Sequence, residues 1–483
     1  MIQTLVFTLI TVSIALLTFF KCRQSGPRGT DAKEYFLAGG GLSWIFVAGS
    51  LTLTNINTDT LVGWNGNQTL IVVWWELAGV LGLTLLAKVF LPIYYRNNCT
   101  TVTELLERRY GEPNLRATVA FLFLLGNVAI FLPIMLYTSS LFLISLFDLQ
   151  IPLILVASTI AIAGALYAIF GGLRAVAISD TYSGVLLFGM ALLVVFLALA
   201  AVDWDLSGLP PERLSLIGDS TSKVPWHTLF TGMVLVQVYY WSTNQTITQR
   251  ALAATSLKEA QRGCYAAAVI RATIVPAIVI IPGLCAYKLY GETGDSTYGR
   301  IVADTLPHWL TGAFAAAMVA ATMTSFNSTL NSSAALYVCD LHQRYLNPFV
   351  KVARLSVTVS ILFALLGIGL VPLYMGAESI IQLIQQLIGL FSMPILATFI
   401  TGLLFRNVDA RAVIASLFFG AGLYAALTFG WEAWHSASPE TITAPWHFLH
   451  VMFITVWACV AFALATNRVI FKRKSTFGPT QTP

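Results

Sequence analysis

The sequence predicts an all-α integral membrane protein with about thirteen transmembrane helices. Three observations support this: only 10% of residues are charged, 57% are hydrophobic, and long apolar runs recur along the whole chain. Soluble domains carry about 25% charged residues, and no soluble fold of 483 residues hides so much apolar surface from water. The surface of this protein is therefore expected to face lipid.

About thirteen apolar segments are long enough to cross the hydrocarbon core, which is about 30 Å thick and needs about 20 helical residues. They lie near residues 2–20, 41–66, 69–95, 115–146, 150–170, 175–202, 226–247, 262–287, 308–338, 351–373, 377–404, 411–430 and 447–468. The first lacks a basic n-region and a small-residue cleavage site, so we interpret it as a retained helix rather than a cleaved leader. We expect one membrane domain over residues 1–483.

The distribution of Lys and Arg predicts the orientation. With the amino terminus outside and the helices alternating, all but five of the 27 basic residues fall in inside loops or in a basic tail, 469–483. Four exceptions lie in outside loops and one lies within a span: Arg213, Lys223, Lys288, Arg300 and, in the span, Arg271. Cytoplasmic loops are enriched in Lys and Arg. We therefore expect a plasma membrane location, in a bacterial inner membrane, with the carboxyl terminus in the cytoplasm.

Composition and motifs argue against several other classes of protein. The net charge of +5 is small and unclustered, which disfavours nucleic acid as a partner. The six cysteines form no CxxC pair, so we interpret them as free thiols. No nucleophile–base pair, metal-ligand cluster or phosphate loop is recognisable, and we expect a protein that is not an enzyme.

Two spans contain far more polar side chains than a lipid-facing helix. One carries Thr52, Thr54, Asn55, Asn57, Thr58, Asp59 and Thr60, and the other carries Gln237, Tyr239, Tyr240, Ser242, Thr243, Asn244 and Gln245. Unsatisfied polar groups in hydrocarbon are costly, so these stretches must line a cavity or be buried in protein. The second span comes five after the first, as in a five-plus-five inverted repeat whose first helices are broken to coordinate ion and substrate. Two polar helix–helix seams are the alternative.

Four strings of the sequence are distinctive: YYWSTNQTITQRALAATSLKEAQRG (239–263), GGLRAVAISD (171–180), DAKEYFLAG (31–39) and TSFNSTLNSSAALYVCD (324–340). In order and with few gaps from about residue 31 to 430, they resemble the solute:sodium symporter family, and within it the bacterial sodium/glucose-galactose type of cotransporter. The resemblance implies a leucine-transporter-type fold. Its inverted repeats would span 41–202 and 226–404, with a peripheral helix at 2–20 and two further helices within 411–468.

The resemblance also implies a function, which is sodium-coupled symport of a small polar solute by alternating access. Sodium would be the coupling ion, with no organic cofactor; the partners would be the solute, sodium and the lipid bilayer, and a monomer would suffice for transport. A carboxylate or amino-acid solute, such as proline, sialic acid or a short-chain acid, is one alternative. A channel is another, and saturable uptake that needs sodium discriminates against it.

The resemblance places the sodium site on five residues. The ligands are the backbone carbonyls of Leu53, Ile56 and Ala321 and the hydroxyls of Thr324 and Ser325. Freed carbonyls and short hydroxyls replace the hydration shell of sodium without burying a full charge, and residues four apart share one helix face. The alternative for the two hydroxyls is a bond back to their own helix carbonyls.

A second sodium site or ion route falls, by the same resemblance, on Asp180, Asn327 and Ser328. Family members that bind two sodium ions carry serines at the last two positions, and here Asn327 replaces one of them. An asparagine oxygen remains a usable ligand. The alternative is that Asp180 pairs with Arg174 or another loop base.

The resemblance assigns solute binding to polar side chains from several helices: Asn55, Thr60, Glu76, Gln237, Tyr240, Trp241, Asn244 and Gln385. The gates would be Trp64, Trp75 and Ile381 towards the outside and Tyr240 towards the inside. Thr60, Gly79 and Gln237 depart from the sugar-binding members, which carry Gln, Ser and Asn there. Structural roles are the alternatives for Glu76 and Gln385.

Charge favours a neutral solute, most simply a hexose or a cyclitol. An anionic solute would face Glu76 with no certain cation beside it. Arg271 is the basic residue nearest the position of a lysine in the family, and the sequence does not show which way Arg271 faces. Like charges close together in a low dielectric are strongly disfavoured, whereas a sugar hydroxyl can donate to a carboxylate.

Overall fold

The structure is a computed structural model that describes residues 3, 5–13, 41–53, 55–147, 149–219, 222–375, 380–430 and 446–478, with side chains described except at 166–183 and 381–382. This part of the chain is almost entirely helical. Five cysteines are free thiols, as predicted: Cys99, Cys264, Cys285, Cys339 and Cys459. Cys22 and the string 31–39 lie outside the described residues.

The helices of the first half are α1 (Trp44–Leu53), α2 (Thr58–Gly66), α3 (Val73–Leu85), α4 (Leu91–Arg96), α5 (Val102–Tyr110), α6 (Pro113–Gly126), α7 (Leu132–Phe147), α8 (Leu153–Ala201) and α9 (Pro211–Leu214). Those of the second half are α10 (Gly232–Val238), α11 (Gln245–Leu252), α12 (Leu257–Thr273), α13 (Val275–Tyr290), α14 (Thr297–Thr305), α15 (His308–Ala335), α16 (Gln343–Tyr345), α17 (Val352–Leu370), α18 (Ile380–Leu404), α19 (Ala410–Ala425) and α20 (Phe448–Val469). Single π-helical segments continue several helices, at Leu86–Phe90, Asn127–Phe131, Tyr239–Thr243, Leu336–His342 and Ala426–Gly430.

Both polar spans are broken helices, as the sequence predicts. In the first, α1 ends at Leu53, α2 begins at Thr58, and Asn57 between them has an extended backbone. In the second, α10 runs into a π-helical turn, and α11 begins at Gln245 after an extended Asn244. Each asparagine caps the half-helix that follows it, because its short side chain accepts a bond from a backbone N–H that the first turn leaves unpaired.

Nine helices in the described part of the chain are long and apolar enough to cross a membrane, against the thirteen or so predicted. The difference arises at four of the predicted spans. The predicted spans 41–66 and 226–247 are divided by the breaks into pieces shorter than a membrane crossing. The predicted span 2–20 is described only in part, with 5–13 helical. The predicted span 150–170 is joined to the next one, 175–202, within α8.

Helix α8 is longer than the sequence predicts. The spans expected near 150–170 and 175–202 are joined in one helical segment of 49 residues. The short connection expected at 171–174 is itself helical, because its flanks are rich in Ala and Leu and favour continuation of the helix. Two apolar stretches within it, Leu153–Ala165 and Gly184–Ala201, correspond to the predicted spans.

The distinctive string at 239–263 ties the two broken helices together at one end of the bundle. Leu42, just before α1, forms a parallel bridge with Ala254, just after α11. Glu259 on α12 accepts a bond from the backbone N–H of Trp44, at the start of α1, at 2.9 Å. Gly263 lets α12 approach α1 closely, since a Cβ there would lie 2.6 Å from the side chain of Val47. These residues therefore position the first half of the first broken helix.

A buried group of charges fastens α5 and α6 to the segment that continues α15. Arg116 on α6 contacts three carboxylates: Asp340 at 2.5 Å, Glu107 at 2.8 Å and Glu104 at 3.1 Å. The side chain of Asp340 is fully buried and accepts further bonds from two threonine hydroxyls. Burial raises the pKa of Glu104 above its ordinary value, although Arg116 acts in the opposite direction.

The end of the chain folds back onto the bundle. Helices α18, α19 and α20 pack together, and strand β1 (Phe405–Arg406) pairs antiparallel with strand β2 (Thr476–Phe477) in the basic tail. Asp409 forms ion pairs with Arg411 and with Arg473 of the tail. The hydrogen bond from Arg411 lowers the pKa of the Asp409 carboxyl. The tail is therefore held against the end of α18 by a short strand pair and by charge.

We predict that Asp340→Ala lowers the free energy of unfolding by about 1–3 kcal/mol, because it leaves the buried Thr101 and Thr103 hydroxyls without their acceptor and removes one of the three carboxylates of Arg116. Thermal unfolding of the purified protein in detergent measures this. Arg344→Ala is the control, since Arg344 pairs with Glu107 at 2.9 Å while its side chain is 47% exposed, and exposed pairs contribute about 0–1 kcal/mol. Equal shifts for the two variants would contradict the role given to Asp340.

Candidate functional site

The break between α1 and α2 releases backbone carbonyls in the middle of a span. In an unbroken helix the Ile56 carbonyl would accept from the Thr60 N–H, but that N–H donates to Asn57 Oδ1 at 3.2 Å. The Leu53 carbonyl accepts from the Ile56 N–H at 3.2 Å in a tight turn. The Leu53 and Ile56 carbonyls therefore lie outside the regular helical ladder, where the sequence predicts two sodium ligands.

The other three predicted sodium ligands lie on one buried face of α15. Ala321, Thr324 and Ser325 are at most 3% exposed. Thr324 Oγ1 donates to the Ala321 carbonyl at 2.8 Å, so this hydroxyl bonds back to its own helix and keeps its lone pairs for another partner. The first residue of α2, Thr58, contacts Thr322, the neighbour of Ala321. The break and this face of α15 therefore lie against each other.

The second predicted ion set is described only in part. Asn327 and Ser328 are buried on α15, and neither Asn327 Oδ1 nor Ser328 Oγ has a hydrogen-bond partner in the described part of the chain. Asn327 Oδ1 faces α8, since a Cβ built on Gly164 would lie 3.5 Å from it. Asp180 belongs to the same helix α8, but its side chain lies outside the described residues.

A buried ion pair forms the centre of the predicted solute site. Glu76 on α3 and Arg271 on α12 approach to 2.5 Å, and both side chains are at least nine-tenths buried. The guanidinium of Arg271 lies over the ring of Trp241, 4.6 Å from its centroid. Trp241 Nε1 donates to Gln237 Oε1 at 2.9 Å, and Gln237 Nε2 donates to the Trp75 carbonyl at 3.0 Å. The structure therefore brings Glu76, Gln237 and Trp241 together.

Arg271 is the member of this cluster that the sequence prediction did not assign to the site. Its Nε and Nη1 are buried and have no hydrogen-bond partner among the described residues. A signal was present in the sequence, because Arg271 is a basic residue within a predicted span and charged residues inside a membrane usually mark functional sites. The sequence alone did not show which helix it faces.

Two glycines on α3 explain why the broken helix 232–243 approaches so closely. A Cβ on Gly79 would lie 2.9 Å from Trp241 Nε1, and a Cβ on Gly82 would lie 2.5 Å from the Gln237 carbonyl. Real Cβ atoms essentially never come so near. Sugar-binding family members carry Ser at the position of Gly79. In this chain the indole of Trp241 occupies the space that a serine side chain would need.

One side-chain contact joins the two breaks. Tyr240, in the π-helical turn of the second break, donates from its hydroxyl to Asn55 Oδ1 at 2.5 Å. Asn55 in turn donates from Nδ2 to the Leu51 carbonyl at 2.8 Å. Tyr240 therefore crosses from one broken helix to the other, as an aromatic gate would.

The remaining predicted residues have various positions. Asn244 Oδ1 caps α11 by accepting from the Thr246 N–H at 2.9 Å, which occupies that oxygen. The rings of Trp64 and Trp75 lie 5.5 Å apart, so these two predicted gate residues contact each other. Thr60 and Gln385 are both half-buried, and the side chain of Ile381 lies outside the described residues.

The arrangement can bind a small cation and a polar solute in adjacent places. Freed carbonyls and neutral hydroxyls offer oxygen ligands without a net buried charge, and the Glu76–Arg271 pair offers both acceptors and donors while its charges cancel. The rings of Tyr240 and Trp241 meet edge to face, with centroids 5.4 Å apart, and Trp241 also contacts Arg271 of the pair. Such a mixture suits a small polar solute.

Comparisons with solved structures confirm the predicted fold. A Na⁺-coupled sialic acid symporter, solved in a substrate-bound outward-open state, superimposes with a TM-score of 0.82 at 18% identity, covering 100% of this chain and 99% of that one. Mhp1, a nucleobase-cation-symport-1 family transporter in a closed conformation, gives a TM-score of 0.57 at 14% identity, covering 92% and 96%. At these identities the likeness is one of fold alone, and the fold is of the leucine-transporter type.

Sequence comparisons identify the family. The uncharacterized symporter YidK of Escherichia coli K12 is 32% identical over 94% of this chain and 81% of its own length. The sodium/glucose cotransporter of Vibrio parahaemolyticus is 29% identical over 86% and 82%, and the mouse sodium/myo-inositol cotransporter 2 is 29% identical over 80% and 64%. A model of the sodium:solute symporter family matches residues 35–420. The chain therefore belongs to the sodium:solute symporter family, and it is a multi-pass membrane protein that carries out sodium-coupled symport of a small solute.

Proposed function

We propose that the solute is a neutral polyhydroxylated compound, a hexose or a cyclitol, bound between the two helix breaks. The observation that carries this proposal is the buried Glu76–Arg271 pair, whose contact is 2.5 Å. A relative named as a sodium/glucose cotransporter and another named as a sodium/myo-inositol cotransporter agree with it. Transport, rather than catalysis, is the activity.

The charge argument from the sequence assumed no certain cation beside Glu76, and the ion pair with Arg271 changes that premise. Glu76 has a cation beside it, so the site offers a neutral solute a carboxylate acceptor and guanidinium donors that already balance each other. A sugar hydroxyl both donates and accepts, and it can bond to each partner without leaving a buried charge unpaired. An added anion or cation would upset that balance in a low-dielectric site.

A solute with a carboxylate is the second candidate, and one observation favours it. The Nε and Nη1 groups of Arg271 are buried without a hydrogen-bond partner among the described residues, and a carboxylate accepts from a guanidinium in a bidentate manner. The sialic acid symporter of similar fold transports such an acid. The two candidates differ in what Glu76 contributes, since an acid would be repelled by it and a sugar would not.

The sodium ion is proposed to bind where the first break meets α15. Its ligands would be the carbonyls of Leu53, Ile56 and Ala321 and the hydroxyls of Thr324 and Ser325. The contact between Thr58 and Thr322 supports this, because it joins the first residue after the break to the residue that follows Ala321. A second ion at Asp180, Asn327 and Ser328 is supported by the two unpartnered oxygens on α15.

In alternating access, one gate would close the solute path on its side of the membrane while the gate on the other side opens. Tyr240, which contacts Asn55, would close the path towards the inside, and Trp64, Trp75 and Ile381 would close it towards the outside. With the amino terminus outside, the basic end of the bundle faces the cytoplasm of a bacterial cell. The proposal also includes the inverted repeats 41–202 and 226–404, the peripheral first helix 2–20 and the two final helices within 411–468. It includes transport by a monomer as well.

We predict that uptake into proteoliposomes requires a sodium gradient and increases with an inside-negative potential. A sodium ion crossing about 100 mV releases about 2.3 kcal/mol, and a tenfold concentration ratio adds about 1.4 kcal/mol, so one-to-one coupling sustains a solute gradient of several hundredfold. Glucose, galactose and myo-inositol should compete for uptake, and proline and sialic acid should not. Uptake that persists when choline replaces sodium would contradict symport, and the reverse pattern of competition would favour an acid.

We predict that Glu76→Gln weakens sugar binding by about ten- to a hundredfold, because it removes a charged hydrogen-bond partner and leaves Arg271 unpaired. Solute titration of the purified variant in saturating sodium measures this. Lys288→Ala is the control, since Lys288 pairs with Asp205 at the surface. For an acidic solute the result differs: Arg271→Gln would abolish binding while Glu76→Gln would strengthen it, and that pair of outcomes would replace the sugar assignment.

A further inference from the structure

Three buried hydroxyls from three helices meet beside the proposed sodium site. Thr58 opens α2, Ser139 lies in α7 and Thr322 lies in α15, and each is 1% exposed. Thr58 Oγ1 and Ser139 Oγ are 3.1 Å apart, Ser139 Oγ and Thr322 Oγ1 are 2.9 Å apart, and Thr58 and Thr322 are in direct contact. We call these three residues the hydroxyl triangle. Neither the family resemblance nor the site prediction includes any of them.

The triangle differs from the many hydroxyls in this protein that only bond back to their own helix. Ser139 and Thr322 each lie within reach of such a carbonyl, Met135 O at 2.6 Å and Met318 O at 3.0 Å. Thr58 opens its helix, and both of its side-chain contacts cross to other helices. Each hydroxyl has one proton and two lone pairs, so Thr58 can donate to Ser139, Ser139 to Thr322, and Thr322 to the Met318 carbonyl. This chain of bonds links three helices without any buried charge.

The place of the triangle gives it a consequence for ion binding. Thr58 follows Ile56 by two residues, and Thr322 directly follows Ala321, so the triangle lies at the seam between the two groups of proposed sodium ligands. Ser139, on α7, contacts both Thr58 and Thr322. The separation of the two ligand groups therefore depends on bonds that make no contact with the ion.

We propose that Thr58, Ser139 and Thr322 are positioning residues that hold the break carbonyls of Leu53 and Ile56 at sodium-binding distance from α15. The inference rests on the proposed sodium site and names what fixes its geometry. The triangle oxygens act on each other, at hydrogen-bond separations, and not on the ion. Loss of one hydroxyl lets the break shift relative to α15, so sodium affinity falls while the solute site keeps its own residues.

The test uses Thr58→Val, Ser139→Ala and Thr322→Val in the full-length protein, with the sodium concentration for half-maximal solute uptake as the readout. We expect that concentration to rise about three- to tenfold, as expected for loss of an interhelical hydrogen bond in a membrane, with maximal uptake at saturating sodium unchanged. Thr58→Ser and Thr322→Ser keep the hydroxyl and should restore the wild-type value. Because the three hydroxyls act as one unit, the Thr58→Val, Thr322→Val double variant should need no higher sodium concentration for half-maximal uptake than either single variant.

The matched control is Ser140→Ala. Ser140 is fully buried, adjoins Ser139 and donates to its own helix at the Leu136 carbonyl, 2.6 Å away, so its removal should leave the sodium requirement unchanged. Thermal unfolding in sodium-free buffer separates a general loss of stability from a loss of ion affinity. Should the valine variants fail to fold, Ser139→Ala and the two serine variants, which change less volume, decide the question.

Two different failures are distinguishable. An unchanged sodium requirement in Ser139→Ala and in the valine variants, in a protein whose wild type needs sodium, overturns the role of the triangle and leaves the proposed function intact. The same holds if Ser140→Ala raises the sodium requirement as much as Ser139→Ala. A wild type that takes up solute without sodium overturns the proposed function itself.

Discussion

Backbone carbonyl and amide groups inside a bilayer must find partners within the protein, because no water is present to replace them. This chain breaks two membrane helices in spite of that constraint, and the rest of the structure accommodates the breaks. Asn57 and Asn244 pair the first amides after each break. At the first break the Ile56 carbonyl loses the Thr60 amide that a continuous helix would provide, and a cation that coordinates oxygen would supply a partner in its place.

The second constraint is the pair of buried charges at Glu76 and Arg271. Taking two ions out of water is costly, and the cost is offset only when they meet in good geometry with further contacts. Here Arg271 also lies over the ring of Trp241, and Trp241 is held by Gln237. The glycines of α3 allow this approach. A site that is charged yet neutral overall, with Nε and Nη1 of Arg271 unpartnered among the described residues, is the basis of the proposal that the solute carries many hydroxyls.

Much of the fold was readable from the sequence because polar side chains are rare in membrane helices. The density of Thr and Asn around Asn55, and of amides around Asn244, located both breaks. The sequence could not show that Glu76 meets Arg271, since periodicity defines the faces of one helix but not its rotation against another. It also missed the continuous helix Leu153–Ala201 and the contact of Thr58 with Ser139 and Thr322. The assigned sodium and solute roles stay predictions.

The most direct test of the account is the linkage between sodium and solute binding in the purified protein. If the solute site and the break are coupled as proposed, sodium must raise solute affinity by the same factor by which solute raises sodium affinity. We predict reciprocal factors of at least about tenfold in the wild type and close to one in a Thr324→Ala, Ser325→Ala double variant, with Ser356→Ala, a buried serine bonded to its own helix, behaving as wild type. Equal solute affinity in sodium and in choline would contradict the account.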